Sequence, residues 1–244
     1  MKAAPRLVAA ELLDDLAPED PRARRSRRDL QRIHRAMRSV SVLRKGVSRL
    51  GLAAPRSIIE LGAGDGTLLL RLVRRMHPQW TGAEITLLDR HDLVADGTRA
   101  AYRRLGCSVR TLQADALEWA QTPGAEQYEL GVATLFLHHF AGNQLLHLLA
   151  ALALRTDAFV ACEPRRGVPA RLGSRLVGLL GANAVTRADA VKSVAAGFTG
   201  RELSTGWPDV CAGWRFDEGF AWPFTHYFAA TRAAPYASGA RDAS

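Results

Sequence analysis

The sequence predicts an α/β fold: a mostly parallel sheet with helices on both faces. Short apolar runs alternate with longer stretches of helical periodicity from Pro55 onward. Such alternation favours βαβ units, whose strands are buried on both sides. A glycine cluster separates the first apolar run from the first helical stretch, and the 244-residue length suits one such domain with a modest addition.

Residues 1–54 read as an N-terminal helical cap. ELLDDLAPEDP carries a short amphipathic helix that Pro18 and Pro21 end. Leu30, Ile33, Met37, Val40 and Leu43 then recur at three- and four-residue steps, giving one continuous apolar helical face opposite the arginines. Gly51 and Pro55 mark the exit.

Residues 55–235 read as the main domain. SIIEL is the first strand and TLLLRLVRRMH the helix after it. EITLLD, SVRTLQAD, YELGVATLF and DAFVACEP follow as strands two to five. HDLVADGTRAAYRRLG and NQLLHLLAALAL are helices between them. Residues 164–211 form a helical insertion broken by glycines. WRFDEGFAWPFTHYFAATR supplies two further strands, an antiparallel pair at the sheet edge that brings the total to seven. Residues 236–244 read as a disordered tail.

The formal net charge of +9 suggests an acidic partner. Lys2, Lys45 and Lys192 are the lysines, and every other of the 33 basic residues is arginine. That bias, spread along an alanine-rich chain, reads as genome composition more than as a binding surface. Cys107, Cys162 and Cys211 form no C-x-x-C pair, which argues for reduced thiols in the cytoplasm. The start lacks a signal-peptide pattern, and LLHLLAALAL is too short to span a bilayer.

The chemistry concentrates at Glu60-Leu-Gly-Ala-Gly-Asp-Gly-Thr67. Glycines between a strand and a helix let backbone N–H groups approach a ligand. Asp89 closes the second strand, at the roughly 20-residue distance where nucleotide-binding folds place a carboxylate for ribose hydroxyls. Both NAD and S-adenosylmethionine fit this arrangement. The G-x-G-x-G spacing, acidic Glu60 before the turn and phosphate-repelling Asp65 within it favour the sulfonium cofactor. Asp115 ends the third strand and can meet an adenine amino group.

These residues, together with LLD, QADA and TLFLHHF, resemble the motif series of class I S-adenosylmethionine-dependent methyltransferases. The resemblance runs from about Ser57 to Pro164 and more weakly to Arg232. The N-terminal residues, the 164–211 insertion and FTHYFAATR resemble bacterial small-molecule methyltransferases, some of them found beside polyketide biosynthesis genes. The resemblance implies a Rossmann-like, doubly wound sheet. It implies that Glu60, Gly62 and Gly64 hold the methionine part of the cofactor, with Ala63 and Gly66 completing the turn. Asp89 would take the ribose, Asp115 and Ala116 the adenine, Arg90 the flank of the adenine ring, and Thr134 and Leu135 the methionine side.

Methyl transfer from a sulfonium asks the protein chiefly to position the acceptor and control its proton. His138 and His139 follow strand four at the ligand-binding edge and are the candidate bases, with helix packing as the bland alternative. Arg165 and Arg166 could bind an acidic substrate group, with a solvated loop as the favoured alternative, and Trp207, Trp214 and Trp222 could line a pocket or, as the favoured reading, belong to the core. No histidine and carboxylate set shows metal-ligand spacing.

The expected activity is O- or C-methylation of a small aromatic, polyketide or quinone-like metabolite, as in secondary metabolism. An RNA or other nucleic-acid methyltransferase is the alternative, with the Arg22–Arg38 helix tracking phosphates. Neither an Asn-Pro-Pro-aromatic tetrapeptide nor a Pro-Cys pair is present to support it. A non-catalytic binding module is the third reading, disfavoured by the intact turn and its acids. A homodimer is left open.

Overall fold

A computed structural model describes residues 5–52, 54–123, 126–208 and 213–232. The tail assigned to residues 236–244, and Cys211, lie outside the described residues. The strands are β1 (Ser57–Leu61), β2 (Glu84–Asp89), β3 (Ser108–Gln113), β4 (Tyr128–Thr134), β5 (Thr156–Pro164), β6 (Trp214–Ala221) and β7 (Thr225–Arg232). They form one seven-stranded sheet in the order β3-β2-β1-β4-β5-β7-β6. The first five strands pair in parallel, and β7 runs antiparallel to both β5 and β6. This is the Rossmann-like, doubly wound architecture expected from the sequence.

The period-2 geometry of a strand splits each strand's side chains between two cores. Ile58 of β1 and Val160 of β5 pack with Leu43 and Val47 of α2 (Ser39–Leu50), Leu69 and Leu72 of α3 (Thr67–Met76) and Tyr102 of α4 (Asp96–Arg104). Ile59 and Phe159, one residue away, face the other side. They meet Trp119 of α5 (Ala116–Gln121), Leu148 and Leu152 of α6 (Gly142–Arg155) and Leu203 of α9 (Glu202–Gly206). Burying aliphatic side chains on both faces at roughly 25 cal/mol per Å² holds the layers together.

A further helical layer covers the carboxyl edge of the sheet. It comprises α1 (Pro21–Ala36), α7 (Val168–Arg175) and α8 (Ala184–Ala196). Buried Asp29 of α1 accepts the Asn183 N–H at 2.8 Å, and Ser26 donates to the Asn183 side chain at 3.0 Å. Asn183 caps α8 in turn by accepting the Thr186 N–H. Helices α1 and α8 are thereby joined.

Two expectations for the N-terminal residues are corrected. ELLDDLAPEDP is not a helix; residues 12–15 form only turns. Beyond a few local turn bonds its amides look to α8: Asp189 accepts the N–H groups of Leu12 and Leu13 at 2.7 and 2.9 Å, and just upstream Ala195 accepts that of Leu7. The segment is a strap laid along α8. Pro21 begins α1 rather than ending a helix, because Asp20 caps it and proline suits the first turn. The single helix expected through Leu43 is two. Arg38 takes a left-handed conformation at φ 56° and breaks the path between α1 and α2, although neither glycine nor proline marks the spot.

Tyr102 ties α4 to the glycine turn, its buried hydroxyl donating to the Gly66 carbonyl at 2.8 Å. Tyr102→Phe should therefore lower the unfolding free energy by about 1–2 kcal/mol without changing the denaturant slope, as measured by chemical denaturation.

Candidate active site

The order of strands reverses between β1 and β4, and parallel sheets bind ligands beyond the carboxyl ends of strands at such a point. A cavity of about 460 Å³ opens there. Its walls include Gly62 and Gly64 after β1, Asp89 and Arg90 after β2, Asp115 and Ala116 after β3, and Leu135 after β4. The volume lies within the ordinary range for small-molecule sites.

The glycine turn needs its glycines. Gly62 and Gly64 have φ of 65° and 55°, where a side chain is strained. A Cβ on Gly62 would lie 2.2 Å from the Phe136 ring, whereas a Cβ on Gly64 would meet nothing and point into free space. The turn is held by Asp89, whose carboxylate accepts the Gly64 N–H at 2.8 Å and the His91 N–H at 3.1 Å. Ala63 is buried and donates to the Leu88 carbonyl, and Gly66 stands at the start of α3.

Glu60 is buried behind the turn and does not line the cavity. Burial, reinforced by Asp65 and Asp89, raises its pKa well above the ordinary carboxylate range. Its Oε2 and the Thr134 hydroxyl have no hydrogen-bond partner among the described residues. Buried polar atoms are rarely left so without a reason. Asp115 accepts the Leu117 N–H at 2.7 Å as the cap of α5 while still facing the cavity. Arg90 pairs with Asp14 of the strap at 2.9 Å. Leu135 is held at φ 50°, an uncommon conformation for a branched residue and one associated with ligand sites.

The two histidines part company. His138 is buried and lines neither this cavity nor the one described next. Its Nδ1 lies 2.8 Å from Glu163 and its Nε2 3.3 Å from Glu11 of the strap. Burial works to lower its pKa, but hydrogen bonds and charge from Glu11 and Glu163 overcome this and raise it to about 9. Burial likewise works to raise Glu163, yet His138 and the N–H groups of Phe136 and Leu137 hold it below its ordinary value. His139 lines the cavity, with Nδ1 3.4 Å from Asp14.

A second, apolar cavity of about 380 Å³ lies between α1, α7 and α8, lined by Ile33, Met37, Val177 and Phe224 among others. Leu13, Leu30 and Leu135 belong to both cavities and form the wall between them. Polar groups reach this region from the strap: Glu11 lines the apolar side and Asp14 the other. Sequence reasoning passed over both acids because the segment read as a helix. Their partners lie far along the chain, so spacing gave no signal. It also saw no metal-ligand set, yet Glu11, His138 and His139 bring one ligand atom each within 4.8 Å of one another.

The arginine pair after β5 is not a substrate clamp. Arg166 is buried and bonds Glu202 at 2.5 Å, and Arg165 stacks on Phe220. Trp207 is core, Trp214 half-buried and Trp222 exposed, and none lines either cavity.

No family model and no curated protein sequence matches the chain. Solved structures do. The plantazolicin methyltransferase BpumL, crystallised with a triazolic desmethylPZN analog and SAH, is 14% identical with a TM-score of 0.61 over 88% of this chain and 92% of its own. An O-methyltransferase family protein from Burkholderia thailandensis is 17% identical, TM-score 0.58, over 88% of this chain and 61% of its own. The mitomycin 7-O-methyltransferase MmcR is 18% identical, TM-score 0.54, over 91% and 60%. The chain thus spans less than two thirds of the length of the last two. At these identities the likeness is one of fold, and the chain has the fold of these methyltransferases.

His138 gives stability a defined pH dependence. Its folded value of about 9 exceeds the 6.5 of a free imidazole. The stabilisation is therefore complete below about pH 6.5 and is lost as pH rises through 9, on the order of 3 kcal/mol in all. Thermal melts in chelator-containing buffer should fall between about pH 6.5 and pH 9.5, and His138→Asn should flatten that decline.

Proposed function

We propose that this protein is an S-adenosylmethionine-dependent methyltransferase acting on a small acceptor with an apolar body. The observation that carries the reading is the pairing of two adjoining cavities across Leu135, one with polar groups beside the glycine turn and one almost wholly apolar. The residues present suit the cofactor. Asp89 and Asp115 face the cavity where ribose and adenine edges need acceptors, and Gly64 leaves its side open to the ligand. The buried Glu60 carboxyl, with its unpartnered oxygen, supplies negative charge behind the turn to offset a cationic ligand. Bound there, S-adenosylmethionine supplies an electrophilic methyl group on sulfur for in-line transfer to the acceptor.

The protein's own work is positioning and proton control. The wall at Leu13, Leu30 and Leu135 separates the donor side from the acceptor side and leaves the polar cluster of Glu11, Asp14, His138 and His139 at their junction. Glu163 fixes His138, and His138 fixes the strap through Glu11. The acceptor's proton is handled by this cluster, with His139 the imidazole that faces the cavity. Oxygen is the acceptor atom such a cluster serves best, since a hydroxyl must lose its proton to become a strong nucleophile. An aromatic or polyketide-like hydroxyl compound suits the apolar cavity.

A separate cleft lined by His34, Arg35, Arg38, Arg71, Arg74 and Arg75 is the feature that favours nucleic acid. Its guanidinium groups suit phosphates, but no substrate base reaches the methyl donor from an open arginine surface alone. The apolar cavity adjoining the glycine-turn cavity supports the small-molecule reading.

Isothermal titration should show one site for S-adenosylmethionine, and Glu60→Gln should weaken it at least tenfold, about 1.4 kcal/mol. Because Glu60 carries a raised pKa, binding of the cationic ligand should release a proton from it, seen as a heat that varies with the buffer's ionisation enthalpy. Absence of any binding heat defeats the proposal. With a panel of aromatic hydroxyl compounds and mass-spectrometric detection, His139→Ala should lower turnover by about 10²–10⁴-fold while leaving cofactor affinity intact. Methylation of RNA instead of these compounds supports the alternative.

A further inference from the structure

The strap gathers with the histidines after β4 a set of groups that the transfer of a methyl group does not by itself require. Glu11 Oε1 and His138 Nε2 stand 3.3 Å apart, whereas His138 Nδ1 and Glu163 Oε2 are 2.8 Å apart. The second distance is an ordinary charged hydrogen bond. The first is long for one. It matches the separation of about 3.3–3.4 Å between two ligand atoms that each sit about 2.0–2.1 Å from a tetrahedral cation.

His139 supplies the third group. Its ring centroid lies 4.4 Å from that of His138, with the planes 33° apart, and its ligand atom falls within 4.8 Å of the other two. Two imidazoles held so closely repel if both are protonated, and share a cation readily when neutral. Arg90 already offsets Asp14, but Glu11 and Glu163 flank the pair as two further carboxylates, and with both rings neutral their charge is one that a divalent cation balances.

We propose that Glu11, His138 and His139 form a divalent-cation site for zinc or a similar imidazole-seeking transition metal, with Glu163 as the outer carboxylate that orients His138. Two histidines and one carboxylate are a known ligand set for zinc sites that keep an open position. The outer arrangement is also the expected one, because a metal-binding imidazole gives its other N–H to a carboxylate. Glu11 lines the apolar cavity and His139 the polar one, so the fourth position lies at their shared wall. It is left for water or for the acceptor's oxygen. That use in catalysis rests on the methyltransferase reading, and with the cation bound His139 acts as a ligand in place of the base, the metal polarising the acceptor's oxygen instead; the cation site itself does not rest on that reading.

The test uses the full chain, stripped with chelator and titrated with cobalt(II), then with zinc(II) as competitor. The expected result is one cobalt ion per chain with the intense visible bands of a tetrahedral site, bleached by zinc. Glu11→Gln and His139→Asn should each weaken zinc binding at least tenfold, and Glu163→Gln by about 10–100-fold. His147→Asn, an exposed histidine on α6, should leave it unchanged. His139 is a quarter exposed, so its replacement leaves the core intact and keeps the test decisive even if Glu11→Gln loosens the strap. The absence of stoichiometric cobalt binding overturns the proposal, as does binding that survives both Glu11→Gln and His139→Asn. S-adenosylhomocysteine binding, measured on the same samples, reports separately on the cofactor reading.

Discussion

One carboxylate organises the centre of this molecule. Asp89, at the end of β2, accepts the Gly64 N–H with one oxygen and the His91 N–H with the other. It thereby pins the loop after β1 to the loop after β2 at the wall of the first cavity. A charge-assisted bond to a backbone amide is about twice as strong as a neutral one, and here it fixes a turn whose glycines would otherwise be free to move. Tyr102 holds the far end of the same turn through the Gly66 carbonyl. The shape of the polar cavity follows from these two anchors.

A second carboxylate repeats the device on β5, across β1 and β4 from β2. Glu163, fully buried at the end of β5, accepts the N–H groups of Phe136, Leu137 and His138 and the His138 ring. It sets the short helical turn after β4, and that turn sets Phe136 against Gly62. His138 passes the constraint on to Glu11, and so to the strap that roofs the site. The strap, α1 and α8 are thus joined to the sheet through polar contacts, while the sheet and its flanking helices are joined by apolar burial.

This division explains what could be read in the sequence. The sheet and its glycine turn were legible because period-2 and period-3.6 patterns and a G-x-G spacing are local signals. The antiparallel β6 and β7 pair was legible for the same reason. The break at Arg38 was not, because an exposed arginine takes the left-handed conformation there and neither glycine nor proline announces it. The strap was misread because ELLDDL has the composition of a helix, while the amides of Leu12 and Leu13 are bonded by Asp189, far away in the chain. Glu11 and Asp14 went unnoticed as site residues on the same account. Asp115 shows the opposite case: the helix-cap role that competes with ligand binding in any sequence reading is realised here, at a residue that still faces the cavity.

The account as a whole depends on the Asp89-pinned glycine turn being the seat of a sulfonium nucleoside. A crystal structure of the protein with S-adenosylhomocysteine tests this directly. The predicted result is density along the turn, with the ribose beside Asp89, the adenine toward Asp115 and the sulfur near Leu135 at the entrance to the apolar cavity. Density seated elsewhere, or a turn that closes over Gly64 and leaves no ligand, contradicts it.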